Sequence, residues 1–252
     1  MYFMYKNNKI YYKKFGYGKV PLLILPGWGD VYNTFSFIID YFKEYFSIYY
    51  VYYPGFGKSK ELNQEFTIYD YADSILFLLE KEKIKKPIIL AHSFGGRIVS
   101  LLIGKYKVKC LKLILIDVAG IKHFSLKVFC KKYIYKFLKM IRFLLPCCLR
   151  EIYLVKIFKY FSSSDYLNIP SCMRKTFQNI VSLDLRKYYK QIKCDTLIIW
   201  GSNDKDTPLD DAYYLNKIIS NSGLIVYKNS GHFSYYEKSY ETIKILYSYL
   251  KK

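Results

Sequence analysis

Short apolar runs alternate with segments of helical periodicity through the first half of the chain. Continuous apolar and β-branched runs predict strands at 10–15, 20–25, 48–53, 87–91 and 111–116. Between them, apolar residues recur at helical spacing over 33–46, 67–83 and 95–105. The later runs are apolar throughout, which is typical of strands buried on both faces. The alternation predicts an α/β fold with a doubly wound, mostly parallel sheet.

Two local signals refine this prediction near the N-terminus. Gly16 and Gly18 separate the first two runs and predict a hairpin that joins 10–15 to 20–25. Thr67 precedes a helical pattern and is followed three residues later by Asp70, so we expect Thr67 to cap that helix.

The alternation stops after residue 120. Residues 122–190 show helical patterning only, interrupted at Pro146 and at the serines of 162–164. Strand and helix patterns then resume at 196–200, 209–220, 224–227 and 235–250. A chain of 252 residues with 52% apolar content fits one α/β domain with an insertion, or at most two small domains. We therefore expect a core formed by 1–120 and 191–252, with 121–190 as an inserted helical block.

Ser93 lies between a predicted strand and a predicted helix, in the sequence Ala-His-Ser-Phe-Gly-Gly-Arg. A serine on a tight strand-to-helix turn needs small neighbours two residues away on each side, and Ala91 and Gly95 meet this requirement. The turn exposes the hydroxyl at the carboxyl edge of the sheet. Ser93 is therefore the candidate nucleophile, and the alternative is a serine that only caps a helix.

His232 follows Gly231 in the loop after the last predicted strand, from which it can reach the same edge of the sheet. A neutral imidazole accepts a proton near neutral pH, so His232 is the candidate base for Ser93. The alternative is a loop histidine with no role. His92 is fixed beside the serine and His123 lies in the helical block, so we expect neither to be the base.

An acid that orients His232 is expected at the end of a neighbouring strand. Asp204 and Asp206 follow the predicted strand 196–200, and Asp117 follows the strand 111–116. All three qualify by position. The chain order serine, aspartate, histidine is one of the orders that this kind of site uses.

Gly27 and Gly29 flank Trp28 directly after the strand 20–25. Glycines at a strand end let the backbone approach a substrate carbonyl. We expect the backbone N–H groups of Trp28 and Phe94 to stabilise an oxyanion there.

Other chemistries lack their motifs. Gly57-Lys58-Ser59 ends like a phosphate-binding loop, but Tyr52 occupies the position of the first required glycine. The six cysteines form no C-x-x-C pair and there are three histidines, so no zinc pattern is present. We expect no nucleotide, metal or organic cofactor.

Together these motifs resemble the α/β-hydrolase family over nearly the whole chain except the helical block. The matching segments are 25–29, 53–59, 91–96, 201–208 and 231–232. The chain departs from the family at Pro26, where a histidine is usual, and at Tyr53, where an aspartate is frequent. Neither change removes a proposed catalytic atom.

By this resemblance Asp204 occupies the acid position, and the block 121–190 is a helical cap over Ser93. The resemblance implies hydrolysis of a small-molecule carboxylic ester or related acyl bond through an acyl-enzyme. Carbon–carbon bond hydrolases and thioesterases are the alternatives within the family. A serine nucleophile argues against the dehalogenase and epoxide hydrolase branches, which use an aspartate. A non-catalytic ligand-binding protein on the same fold is the alternative of another class.

The net charge is +20, and it is concentrated in residues 121–190, which contain 15 basic and 3 acidic residues. Lys, Ile, Tyr, Asn and Phe share AT-rich codons, so genome composition could supply part of this charge. The first cap helix combines a basic side with an apolar face, expected from Phe124, Phe129, Tyr133, Phe137, Met140, Ile141 and Leu144. Either this face packs on the core, or the cap contacts an anionic lipid surface or guides an anionic substrate.

No nucleic-acid-binding motif accompanies the charge, and we expect no nucleic-acid partner. Polar residues at 6–9 interrupt the N-terminus, which lacks the apolar core of a secretory signal. No run of 18 apolar residues occurs. We expect a cytoplasmic protein.

Overall fold

A computed structural model describes residues 1–29, 32–59, 62, 64–123, 126–144, 146–161 and 173–251. Eight strands form one sheet in the order β1-β2-β4-β3-β5-β6-β7-β8. They are β1 Tyr2–Tyr5, β2 Asn8–Phe15, β3 Val20–Leu25, β4 Phe46–Val51, β5 Ile88–His92, β6 Lys112–Ile116, β7 Asp195–Gly201 and β8 Ser222–Tyr227. Strands β3 to β8 run parallel, and β1 and β2 are antiparallel to their neighbours. The predicted mostly parallel α/β sheet is confirmed.

Helices cover both faces of the sheet. In chain order they are α1 Ser36–Phe42, α2 Ile68–Lys81, α3 Phe94–Val99, α4 Leu126–Ile141, α5 Cys147–Phe161, α6 Arg174–Val181, α7 Arg186–Tyr189, α8 Leu209–Ile218, α9 Ser234–Glu237 and α10 Ser239–Lys251. A π-helical segment, Ser100–Lys105, continues α3. At the start of α2 the Thr67 hydroxyl accepts from the Asp70 N–H, and the Asp70 carboxylate accepts from the Thr67 N–H. The predicted cap is confirmed.

The strand residues alternate between two apolar layers because successive side chains point to opposite faces. Ile89 of β5 packs in the layer that includes residues of α2, α3 and α8. Leu90, its neighbour, packs in the layer that includes residues of α1 and α10. Both faces of the central strands are therefore buried, which explains their uninterrupted apolar sequences.

The predicted hairpin between 10–15 and Val20–Leu25 is wrong. Strand β2 pairs with β4 and with β1, a strand that the sequence pattern does not reveal. Lys6 and Asn7 turn the chain between β1 and β2 with φ angles of 46° and 58°. Gly16, at φ 68°, lies so close to the Lys43 carbonyl oxygen that an added Cβ would be 2.1 Å from it. The chain after β2 therefore packs against the backbone next to β4, and β3 pairs with the edge of β4 that does not pair with β2.

The described residues between β6 and β7 form only helices and turns, as their periodicity predicts. Phe124 and the loop 162–164 lie outside the described residues. The side chains of Phe129, Lys131, Lys132 and Leu144 also lie outside them. Among the helices that the structure describes, none combines the length and apolar content needed to cross a bilayer.

Candidate active site

Ser93 occupies the turn between β5 and α3 in a backbone conformation that is rare for a non-glycine residue, with φ 47° and ψ −111°. Hydrogen bonds hold the turn in place. The Ser93 N–H donates to the Ile116 carbonyl, and the Ser93 carbonyl accepts from the N–H groups of Gly96 and Ala119. Backbone strain of this kind persists where the surroundings over-determine it, and it concentrates at functional sites.

Gly95 permits the close packing of α3 against β3. A Cβ added at Gly95 would lie 2.1 Å from the backbone oxygen of Leu25. A side chain is therefore excluded two residues after Ser93, which is the physical reason for the small residue in this motif.

The structure brings Ser93, His232 and Asp204 into one hydrogen-bonded chain. Nε2 of His232 lies 2.9 Å from Ser93 Oγ, and its Nδ1 lies 2.8 Å from Oδ2 of Asp204. Because a carboxylate only accepts hydrogen bonds, Nδ1 carries the proton. Nε2 then has a free lone pair that faces the serine hydroxyl.

Asp204 is held by the residues that follow it. The N–H groups of Asp206 and Thr207 donate to its Oδ1, at 2.8 and 2.9 Å. The Thr207 hydroxyl donates to Oδ2 at 2.6 Å, the same oxygen that contacts His232. Thr207 is not among the site residues that the sequence pattern predicts. A hydroxyl three residues after an acid, as in a local Asp–Thr turn, is the signal that could have indicated it.

The other two candidate acids have different surroundings. Asp117 accepts from the Gly201 N–H and from both the N–H and the hydroxyl of Ser234, so it joins the ends of β6 and β7 to α9. Asp206 is exposed, and its carboxylate makes no hydrogen bond to His232 within the described part of the chain. Asp204 is the acid that contacts the imidazole.

Burial and hydrogen bonding act in opposite directions on these groups. Burial lowers the pKa of His232, but the hydrogen bond and charge of Asp204 outweigh it and hold that pKa above 6.5. Burial raises the pKa of Asp204, yet the bonds from His232 and Thr207 leave it below its ordinary value. For Asp117, burial prevails and raises the pKa to about 6. Asp204 is therefore ionised near neutral pH.

Ser93 opens into a cavity of about 620 Å³ at the carboxyl edge of the sheet. Gly27 lies against the serine, because a Cβ added there would be 3.4 Å from Ser93 Cβ. Trp28 and Phe94 both line this cavity. Phe94 is the first residue of α3, and the first N–H groups of a helix have no partner within the helix.

The helices between β6 and β7 contribute to the same cavity. Phe177, Ile180 and Val181 of α6 line it together with Ser93 and His232. On α4, by contrast, Tyr133, Phe137 and Met140 share one helix face and are 56%, 62% and 66% exposed. This face of α4 does not pack on the core.

One group of side chains has the composition of a metal site. Asp204, Asp206 and His232 offer ligand-type atoms within 4.8 Å of one another. However, Nδ1 of His232 and both oxygens of Asp204 already have hydrogen-bond partners within the chain. An ion here would have to displace those bonds, so the donor set does not suit a resident metal.

Two curated proteins are similar to parts of the chain. Over 93 residues it is 36% identical to a pimeloyl-[acyl-carrier protein] methyl ester esterase of Proteus mirabilis, which covers 37% of this chain and 34% of that protein. Over 47 residues it is 45% identical to 2-hydroxy-6-oxononadienedioate/2-hydroxy-6-oxononatrienedioate hydrolase 1 of Pseudomonas putida. This alignment covers 19% of this chain and 16% of that protein. The alignments thus span about a third or less of these relatives.

Similarity of the fold extends over the whole chain. A solved esterase from Exiguobacterium antarcticum superimposes with a TM-score of 0.73 at 23% identity, covering 97% of this chain and 96% of that chain. A model of the alpha/beta hydrolase fold matches residues 20–142 and 138–239. This match spans most of the sequence, including the strand ends that carry Ser93, Asp204 and His232, and the chain belongs to the α/β hydrolase fold family.

Proposed function

We propose that the protein is a serine hydrolase that cleaves a carboxylic ester through an acyl-enzyme. The observation that carries the proposal is the continuous hydrogen-bonded chain from Ser93 through His232 to Asp204, at the mouth of a cavity. A nucleophile, a base within hydrogen-bond distance and a third group that orients the base are the parts that such catalysis requires.

In the first half of the reaction Ser93 Oγ attacks the substrate carbonyl while Nε2 of His232 takes its proton. The imidazolium that forms faces the Asp204 carboxylate, whose charge stabilises it. The backbone N–H groups of Trp28 and Phe94 are the proposed donors to the oxyanion. Loss of one such donor typically lowers kcat by about 10²–10³.

In the second half His232 returns the proton to the leaving group, which departs and leaves the acyl group on Ser93. A water then takes the place of the leaving group, and His232 removes its proton as it attacks the acyl carbonyl. This attack forms a tetrahedral species, and its collapse frees the acid while the proton passes from His232 to Ser93 Oγ, which restores the hydroxyl. Water is the co-reactant, and the catalytic groups in these steps are side chains and backbone of this chain.

The substrate enters beneath residues 121–190, which we propose form a cap. Support comes from α6, whose Phe177, Ile180 and Val181 line the same cavity as Ser93. The ester is the proposed bond, in keeping with the Proteus mirabilis relative, which is named as a methyl ester esterase. A thioester and a carbon–carbon bond are the alternatives, and the Pseudomonas putida relative, named for a keto-acid substrate, motivates the second.

The test compares initial rates of wild type and Ser93→Ala on p-nitrophenyl esters from acetate to palmitate. We expect turnover by wild type, loss of turnover in Ser93→Ala, and labelling of wild type alone by a fluorophosphonate. Labelling without ester turnover would contradict the ester as substrate and favour a thioester or a carbon–carbon bond as the bond that is cleaved. A folded wild type that neither turns over esters nor labels would contradict the enzyme and favour a ligand-binding protein.

We also propose that α4 lies against an anionic membrane surface. Its face of Tyr133, Phe137 and Met140 is more than half exposed, and the exposed Lys136 and Lys139 lie on the same helix. An amphipathic helix of this composition binds at the boundary between headgroups and acyl chains. The excess of basic residues over 121–190 is complementary to anionic lipid.

Cosedimentation with vesicles tests this contact. Binding is expected to vesicles that contain phosphatidylglycerol, to weaken with added salt, and to fall in the double variant Phe137→Ala/Met140→Ala. Tyr213→Ala, which removes an exposed aromatic side chain from α8, is the matched control. Equal partitioning of wild type onto neutral and anionic vesicles, or none onto either, would contradict the proposal.

A further inference from the structure

A buried arginine lies one helical turn beyond Ser93. Arg97 lies on α3, four residues after Ser93, which directly precedes the first residue of the helix. Arg97 is 8% exposed and lines the same cavity as Ser93 and His232. A permanent positive charge therefore borders the proposed substrate pocket.

The hydrogen bonds of Arg97 use only part of its donor capacity. Nη1 donates to the carbonyl oxygens of Ile180 and Leu183, at 3.0 and 3.2 Å, and so connects α3 to the end of α6. A guanidinium carries five N–H donors, and Nη1 supplies two of them. The N–H groups of Nε and Nη2 make no hydrogen bond to the residues that the structure describes.

Within the described part of the chain, no carboxylate forms an ion pair with this guanidinium. Among the described residues no acid lies within ion-pair distance of Arg97, and the nearby Asp184 is paired with Arg186 instead. Burial lowers the pKa of Arg97, but an arginine in a protein stays protonated. Burying a cation without a partner charge is costly, and an anion bound in the cavity would compensate the charge of Arg97.

We propose that Arg97 binds a carboxylate of the substrate, so that the natural ester carries a free carboxylate a few bonds from the scissile carbonyl. The proposal rests on Ser93 hydrolysis and adds the class of substrate. The planar fork of the guanidinium matches the two oxygens of a carboxylate. Nη1 keeps its bonds to α6, while Nε and Nη2 donate to the anion.

Monomethyl adipate and methyl hexanoate test the proposal, because they differ only in a terminal carboxylate in place of a methyl group. Wild type should prefer monomethyl adipate. In Arg97→Gln the kcat/KM for monomethyl adipate should fall about ten- to a hundredfold further than that for methyl hexanoate. Arg97→Lys keeps the charge but loses the planar guanidinium. Its preference for monomethyl adipate should lie between that of wild type and that of Arg97→Gln. Lys190→Gln, which removes an exposed charge, should leave the ratio unchanged.

Equal losses on the two esters would show that Arg97 only anchors α6 and would overturn the proposal, as would a wild type with no preference between them. Circular dichroism melting checks that each variant folds. If Arg97→Gln does not fold, Arg97→Lys and the wild-type preference decide the question.

Calorimetric binding of monomethyl adipate and methyl hexanoate to Ser93→Ala separates the two proposals, because it needs no turnover. Monomethyl adipate should bind more tightly than methyl hexanoate, and the additional substitution Arg97→Gln should remove most of that difference, with Arg97→Lys removing less of it. If this difference is found but the wild type hydrolyses no ester, the anion site is supported and Ser93 hydrolysis is contradicted. If the wild type hydrolyses both esters without preference and Ser93→Ala binds them equally, Ser93 hydrolysis is supported and the anion site is contradicted.

Discussion

Nε2 of His92 lies 2.9 Å from the backbone carbonyl oxygen of His232. A carbonyl only accepts hydrogen bonds, so Nε2 of His92 carries the proton and donates. His92 is the last residue of β5, directly before Ser93, whereas His232 lies in the loop after β8. This bond therefore joins the strand end that carries the serine to the loop that carries the imidazole.

Replacing the donor should misplace the base without removing it. His92→Phe keeps an aromatic ring of similar size but loses the bond, and we expect kcat to fall about tenfold to a hundredfold with little change in KM. Initial rates on a p-nitrophenyl ester measure this. Tyr213→Phe, at a side chain that is 55% exposed, is the control. Unchanged kcat in His92→Phe would show that the loop holds its position by other contacts.

Two neighbouring aspartates can be distinguished by the same assay. Asp204→Asn should lower kcat by about 10⁴, because the amide cannot hold the tautomer of His232 that accepts a proton. Asp206→Asn should lower it by less than about tenfold, since Asp206 serves Asp204 through its backbone N–H. The reverse ranking would assign the acid to Asp206.

The pH dependence of hydrolysis should follow His232. Its pKa is held above 6.5 by Asp204, and only the neutral imidazole accepts the serine proton. We therefore expect kcat/KM to decline as the pH falls, with a midpoint above 6.5. In Asp204→Asn the residual activity should show a lower midpoint, because the partner that raises the pKa is gone. A wild-type midpoint near 5 would contradict the assignment.

Asp117 should make stability depend on pH. Its pKa is about 6 in the folded chain and 3.8 ordinarily, so the native state binds the extra proton between these values. The free energy of unfolding of wild type, relative to Asp117→Asn, should therefore fall by up to about 3 kcal/mol as the pH rises from 4 to 6, then level off. Lost hydrogen bonds in the variant add a constant offset. Urea unfolding at several pH values measures the difference, and a rise with pH would contradict it.

Glycine substitutions test the packing behind Ser93. Gly95→Ala places a Cβ against the Leu25 carbonyl oxygen and should destabilise the protein by about 1–3 kcal/mol or more. Gly223→Ala, in β8, meets nothing within 4 Å and should be neutral or slightly stabilising. Urea midpoints compare the two variants. Equal midpoints would show that α3 can move away from β3 at little cost.

The sequence by itself determined the kind and order of the main elements. Apolar runs and helical spacing reflect which side chains are buried. Because β5 and β6 are buried on both faces, each of these strands reads as a continuous apolar run in its own sequence. It also determined Ser93 and His232 as candidates, because parallel strands end at one edge and residues following them are brought together there.

Tertiary structure decided the pairings and contacts between distant segments. The resemblance to the family indicated Asp204 as the acid, but the positions along the chain left Asp206 and Asp117 equally possible. The contact of Asp204 with His232, the partner of β2 and the bonds of Thr207 and His92 depend on how distant backbone segments lie relative to one another. Arg97 is the plainest case. In the sequence Arg97 is one residue of a predicted helix and carries no special signal. It is held near Ser93 by hydrogen bonds to carbonyl groups at the end of α6, more than 80 residues further along the chain. Local patterns report how deeply a side chain is buried, whereas its partners are set by the three-dimensional path of the whole chain.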